Sequence, residues 1–287
     1  MNWNCERYCK GTIHMTKFTL LDGAMGTSLQ KSGKLPIGEN PSKLNIESPE
    51  TVAAVHRAYL QAGSEIIITN TFAATALPNF EEIISHGVRI AKEAVQEFEA
   101  KVALNIGPLQ NSLEPLGTND EASAYEMFKR QIIAGVKAGA DIIYIETMTD
   151  LNEAEIAVKA ARGNCELPVF CTMTFEENMR TFMGADIPSM AKTLELAGAN
   201  TIGINCSVGP VAMLKMAAEL KRHTNLPIII KPNAGLPVIE NGEIVYKVSP
   251  EEFVNEMKQI VDLGVSFTGG CCGTTPEFIS ALKKSLQ

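Results

Sequence analysis

The chain lacks any apolar run of the roughly 20 residues that a bilayer span needs. Its opening stretch, residues 1–10, has no apolar core of the kind a secretory leader carries. It also lacks positive charge: 25 Lys and Arg stand against 33 Asp and Glu, for a net charge of -8. An acidic surface of this kind argues against nucleic acid or an anionic membrane as the main partner, because both need a basic face. No low-complexity tract, linker or change of composition divides the sequence, so a single folded unit is expected. Together these absences lead to the expectation of a cytoplasmic globular protein.

Cysteine is present, but not as a disulfide framework. The seven are Cys5, Cys9, Cys165, Cys171, Cys206, Cys271 and Cys272, an odd number in a chain of 287 residues. In a reducing compartment they are free thiols or metal ligands. Cys171 sits in the apolar run 168–173 and reads as a small core residue. Cys165 falls in a loop and carries no signal. Cys5 and Cys9 resemble a metal pair, yet no partner cluster lies near them. Residues 1–15 read as a flexible N-terminal extension, with Met15 as an alternative start, and residues 16–287 as the folded domain.

The rest of the chain repeats one theme, a short β-rich run followed by an amphipathic helical pattern. The runs are 18–21, 65–69, 102–105, 141–145, 169–173, 201–205, 228–231 and 265–268. Helical patterns occupy 49–61, 81–100, 122–138, 152–162, 189–197, 211–223, 250–263 and 276–286. Ala-Gly steps at 62–63, 138–139 and 197–198 fit left-handed helix ends. Eight such units predict a (β/α)8 barrel, the α/β fold known as the TIM barrel, with its site at the C-terminal ends of the strands. A doubly wound open sheet is the alternative, but it gives distant strand ends no reason to meet.

Cys206 ends the sixth run, and the adjacent Cys271 and Cys272 end the eighth, bracketed by glycines in Gly269-Gly270-Cys271-Cys272-Gly273. Three thiolates converging from strand ends make a soft tetrahedral site with one open position, which suits zinc. A strained vicinal disulfide or a closed structural site are the rival readings. None of His14, His56, His86 and His223 falls at an expected strand tip, which favours the open site. Other tips are polar: Asp22-Gly23-Ala24-Met25 after the first run, Asn70 after the second, Asn105 after the third, Glu146 after the fourth and Asn233 after the seventh. Singly, each is also an ordinary turn or helix cap. Gathered on one barrel face, Asp22 could bind a cation such as an ammonium, Glu146 would enter the barrel mouth, and glycine-bracketed N–H groups could take a carboxylate.

At these residues the chain resembles the homocysteine S-methyltransferase family. The matching segments are LLDGAMGT from Leu20, ITNTFAAT from Ile68, NIGPL from Asn105, IETMTD from Ile145, GINCSVGP from Gly203, PNAGLP from Pro232 and GGCCGTTP from Gly269, covering 18–285. The wording DGAMGT, TNTF and PNAGLP is similar to the homocysteine-binding domain of cobalamin-dependent methionine synthase. The resemblance implies zinc on Cys206, Cys271 and Cys272. It also implies L-homocysteine held by Asp22, Gly23, Ala24, Met25 and Glu146, with Asn70 as a further candidate contact. It further implies methyl transfer to the homocysteine thiol to give methionine. The donor stays open among methylcobalamin on a separate corrinoid protein, methyltetrahydrofolate, S-methylmethionine and betaine. A selenol acceptor, or a non-catalytic subunit that binds zinc and homocysteine, are the other readings.

Overall fold

The computed structural model describes residues 18–36, 38–240 and 243–286, so the extension expected over residues 1–15, with Cys5, Cys9 and His14, lies outside the described residues. Eight parallel strands form one sheet: β1 Thr19–Leu20, β2 Ile66–Ile68, β3 Lys101–Ile106, β4 Ile142–Met148, β5 Val169–Met173, β6 Thr201–Asn205, β7 Ile228–Lys231 and β10 Phe267–Thr268. Their spatial order is β1-β10-β7-β6-β5-β4-β3-β2. The two ends of this row meet. Leu21 bridges Ile66 in parallel, and Glu65 N–H donates to Leu20 O at 2.7 Å, which closes the sheet into a barrel. The (β/α)8 expectation is thereby met, and an open doubly wound sheet is excluded.

The helices that follow the strands are α3 Pro49–Ala62, α4 Phe80–Ala94, α5 Glu121–Ala138, α6 Leu151–Asn164, α7 Ile187–Ala197, α8 Pro210–His223, α9 Pro250–Asp262 and α10 Pro276–Leu286. Local chemistry sets their ends. Asp120, Asp150 and Asp186 each accept a first-turn N–H of the helix they precede, and Ser249 with Glu252 forms a reciprocal cap on α9. The three Ala-Gly steps end α3, α5 and α7 with Gly63, Gly139 and Gly198 at φ of 108°, 102° and 98°.

Some boundaries differ from the sequence reading. The helix expected over 81–100 stops at Ala94, because Val95, Phe98 and Ala100 turn inward onto Leu60, Ile67 and Val102. The stretch after β1 is not all loop: Met25–Lys31 is a helix, α1, whose glycine-rich entry hid the signal. A four-residue helix, α2 Leu44–Glu47, precedes α3. Past β7, the strands β8 Val238–Glu240 and β9 Glu243–Val245 pair as an antiparallel hairpin.

Two apolar layers hold the barrel. Leu20, Leu104, Ile143, Ile145, Val169, Cys171, Ile202, Ile204, Ile228 and Ile230 point outward and pack under the helices, so Cys171 is a core residue as expected. Leu21, Ile66, Ile68, Ala103, Ile142, Tyr144, Phe170, Ile229 and Phe267 fill the inside. Since strand side chains alternate faces, the residues two places beyond this inner layer also point inward. Those residues are Asn105, Glu146, Thr172, Asn205 and Lys231, so the barrel turns from apolar to polar one layer from its C-terminal end.

Packing at the β6–β7 seam is tight enough to test. A Cβ added at Gly203 would lie 2.0 Å from the backbone oxygen of Ile229. Gly203→Ala should therefore lower unfolding stability by about 2 kcal/mol or more, read as a fall in the denaturant midpoint. A midpoint equal to the parent's would show that the seam can yield.

Candidate metal and amino-acid site

Cys206 lies just past β6, and the Cys271–Cys272 pair just past β10; β7 runs between these two strands. The segment leaving β7 ties both cysteine loops. Lys231 O accepts from Cys206 N at 3.0 Å, Pro232 O accepts from Cys271 N at 2.8 Å, and Ala234 N donates to Cys272 O at 2.9 Å. Cys206 and Ser207 adopt left-handed backbone angles, φ 62° and 65°, an uncommon conformation for residues with side chains. Below them Thr274 Oγ1 donates to Cys271 O at 2.7 Å. A side chain at Gly273 would collide with the ring of Tyr246, which packs down from the hairpin.

The result is a trio of sulfurs with Sγ atoms all within 4.8 Å of one another, the pair Cys206–Cys272 at 3.8 Å. Among the described residues it is the one cluster of this composition. Tetrahedral zinc with Zn–S bonds of about 2.3 Å needs sulfurs roughly 3.8 Å apart, so the donor chemistry and the spacing both fit that ion. Asn205 Nδ2 reaches Cys271 Sγ at 3.8 Å and Thr147 Oγ1 at 2.7 Å, while its Oδ1 accepts from Thr147 N at 3.0 Å and Thr172 Oγ1 at 2.7 Å. This amide was not singled out in the sequence, although its inward register on β6 could have found it. Hydrogen bonds among the sulfurs pull their proton affinities both ways and burial adds to them. The net effect lifts Cys206 and Cys272 to about 12, and Cys271 well above the usual thiol value.

The sulfurs form one wall of a cavity of about 270 Å³ at the barrel mouth. Asp22, Gly23, Ala24, Met25, Asn70 and Glu146 all line it, so every residue singled out from the sequence as a substrate contact reaches the same space. Their surroundings refine the picture. Asp22 is buried, accepts Ile68 N–H at 2.8 Å through Oδ2, and pairs through Oδ1 with Lys231 Nζ at 3.3 Å. Burial pushes its carboxyl up to about 6, against the pull of Lys231. Glu146, partly open to the cavity, accepts Asn105 Nδ2 at 2.8 Å; burial raises its carboxyl too, again opposed by Lys231. Ala24 N–H is directed to Thr274 Oγ1 at 3.3 Å. The Asn70 amide donates to Pro41 O and Asn45 Oδ1, which places its hydrogen bonds on the 41–47 segment rather than in the cavity. Lys231 was read only as the end of a strand, yet it lines the cavity with Nζ 5.7 Å from the Tyr144 ring centre.

Comparison with known proteins is consistent with this arrangement. The family model described as homocysteine S-methyltransferase matches residues 19–286. The chain belongs to the homocysteine S-methyltransferase family. Methionine synthases of Mycobacterium leprae (strain TN) and Mycobacterium tuberculosis (strain ATCC 25618 / H37Rv) are 29% and 30% identical in alignments of 283 positions that cover 90% of this chain. The chain spans only 23% and 24% of the length of those two relatives. The homocysteine methyltransferase MmuM from Escherichia coli shares the fold in its apo form (TM-score 0.75, 24% identity) and its metallated form (TM-score 0.79, 22% identity). Each alignment covers 94% of this chain and 96% of that one. No helix among the described residues is long and apolar enough to cross a membrane.

For this family member, three thiols that hold their protons at neutral pH make a direct prediction. Titrating metal-free protein with zinc at pH 7 should release close to three protons per ion (about two or more after buffer correction). Stoichiometric zinc uptake with no proton release would show that the cysteines are not the ligands.

Proposed function

We propose that this chain transfers a methyl group to the thiol of L-homocysteine, giving methionine, with zinc held by Cys206, Cys271 and Cys272. The observation that carries the proposal is the convergence of the three sulfurs on a cavity that Glu146 and Asp22 also line. A free thiol with a pKa of about 8.5 is only a few per cent ionised at pH 7. Zinc bound to three thiolates supplies ionisation of the incoming thiol at neutral pH.

The chain's own residues do the rest. Glu146, steadied by Asn105, takes the substrate ammonium, with Asp22 beside it. The backbone of Gly23, Ala24 and Met25 faces the carboxylate. Held at its far end, the substrate presents its sulfur to the cysteine wall and to the open barrel mouth. There the sulfur forms a bond to the methyl carbon, and the electron pair of the broken methyl–donor bond leaves with the donor. No side chain needs to act as a covalent nucleophile.

For the donor we propose a methylcorrinoid carried by a separate protein. Support comes from the DGAMGT, TNTF and PNAGLP wording and from the match to methionine synthases over one quarter of their length. A cytoplasmic setting accords with free cysteine thiols, which an oxidising compartment would not preserve. One domain over residues 16–287 is proposed with it.

The decisive assay incubates zinc-loaded protein and homocysteine with methylcobalamin, methyltetrahydrofolate, S-methylmethionine or betaine, and measures methionine. Methylcobalamin should support turnover, and Cys272→Ser should lose zinc and turnover together. Full turnover by metal-free protein would refute the proposal.

Substrate grip is testable separately. Glu146→Ala should retain zinc but weaken homocysteine binding about tenfold or more; unchanged affinity would remove that residue from the site.

The wild-type affinity should also depend on pH. Asp22 titrates near 6 in the ligand-free protein, and its protonated form is neutral. Homocysteine affinity should therefore fall as pH drops below 6, by up to about tenfold per unit, and Asp22→Asn should flatten that slope. Calorimetric titrations from pH 5 to 7.5 read both effects.

A further inference from the structure

Lys231 is the one charged residue of the cavity that neither the sequence motifs nor the proposed chemistry uses. It is 3% exposed, deep in a barrel mouth, where an ammonium group is costly unless it is compensated. Its Nζ lies 3.3 Å from Asp22 Oδ1, and Asp22 is equally inaccessible at 2%. Glu146, the second carboxylate of the cavity, has an amide rather than a cation as its hydrogen-bond partner. Apart from the sulfurs, the charged side chains lining the cavity are therefore two negative and one positive. Asp22 and Lys231 cancel as a contact pair, and Glu146, which feels Lys231 without a hydrogen bond to it, supplies the remaining negative charge.

We propose that Lys231 is a specificity-determining residue: by neutralising Asp22 it sets the cavity floor to one net negative charge, matched to a ligand that carries one ammonium group beside a carboxylate. The inference rests on the homocysteine reading and deepens it. Two uncompensated carboxylates would favour a purely cationic aminothiol and repel the carboxylate of an amino acid. With Asp22 neutral and Lys231 left alone, the floor would instead carry no net charge and lose its hold on the ammonium. The lysine thus works through Asp22, as a positioning residue for charge, and needs no contact with the reacting sulfur.

The test compares two thiols on zinc-loaded protein by calorimetry at pH 8: L-homocysteine, a zwitterion, and 3-mercaptopropylamine, the same skeleton without its carboxylate. The reading is the ratio of their dissociation constants, with zinc content confirming that each variant keeps its sulfur cluster. Asp22→Asn should shift the ratio against the cationic aminothiol by about tenfold. Adding Lys231→Met to Asp22→Asn removes the cancelling pair as a unit, and should return the ratio to within about twofold of the parent's.

A double variant that keeps the whole shift of Asp22→Asn would overturn the inference, because Asp22 would then hold the ammonium on its own account. So would an Asp22→Asn protein with an unshifted ratio. Should Asp22→Asn fail to fold, Lys231→Met alone decides: a shift toward 3-mercaptopropylamine supports the inference, and a constant ratio rejects it. A parent protein that binds neither thiol would overturn the homocysteine reading and this inference with it. Binding of both thiols with ratios that do not move would overturn this inference alone.

Discussion

Everything at the mouth of this barrel depends on β7 lying between β6 and β10. Neighbouring strands sit about 4.8 Å apart, so loops leaving β6 and β10 are separated by one strand width on either side of β7. Residues 206 and 271 are far apart in the chain and close in space for that reason alone. The backbone of 231–234 then converts proximity into registration: its carbonyls at Lys231 and Pro232 and its N–H at Ala234 each hold one cysteine in place. The left-handed angles at Cys206 and Ser207 persist because both sides of the turn are pinned. A metal site assembled this way needs no contiguous motif, only closure of the sheet.

The same strand carries the charge logic. Lys231 ends β7, so the residue whose carbonyl holds Cys206 also sends its ammonium group to Asp22. Sulfur wall and amino-acid floor are therefore built from one short segment, and displacement of that segment would disturb both together. On the reading proposed above, this coupling would hold a reacting sulfur and a substrate ammonium at a fixed separation, which is what orientation-based rate enhancement requires. A floor with residual negative charge also suits an incoming ammonium more than an incoming anion, in keeping with the acidic surface of the whole chain.

Much of this was legible in the sequence because the signals were local. Ala-Gly helix ends, a β-rich run before each helix and glycine-bracketed cysteines are each set by neighbours within a few residues. Runs 169–173, 201–205 and 228–231 coincide with β5, β6 and β7, where burial on both faces makes the apolar pattern continuous. The two-residue strands β1 and β10 came out shorter than expected, since their flanks bend into the cysteine and Asp22 loops. Lys231 and Asn205 escaped notice for a different reason. Both looked like the ends of strands, and their roles rest on partners at positions 22, 147 and 271. Period-2 counting from Ile229 and Gly203 would have placed both inside the barrel. No count could have paired Lys231 with Asp22, because that contact exists only once the sheet has closed.

The polar layer above the apolar one is an energetic liability as well as a site. Three protonated thiols, two carboxyls pushed upward by burial and an orphaned Asn105 Oδ1 share a small volume. Each would be better satisfied by a ligand than by the protein alone. What tolerates them is the layer beneath, where Leu21, Ile66, Tyr144, Phe170 and Phe267 close the barrel interior, and the helix-covered layer outside it. Stability is thus concentrated toward one end of the strands and unsatisfied chemistry toward the other. On the reading proposed above, a metal ion would displace the protons of the three sulfurs and a ligand ammonium would donate to Glu146 and to Asn105 Oδ1, so a metal and an ammonium-bearing thiol together meet groups that the protein alone leaves unsatisfied.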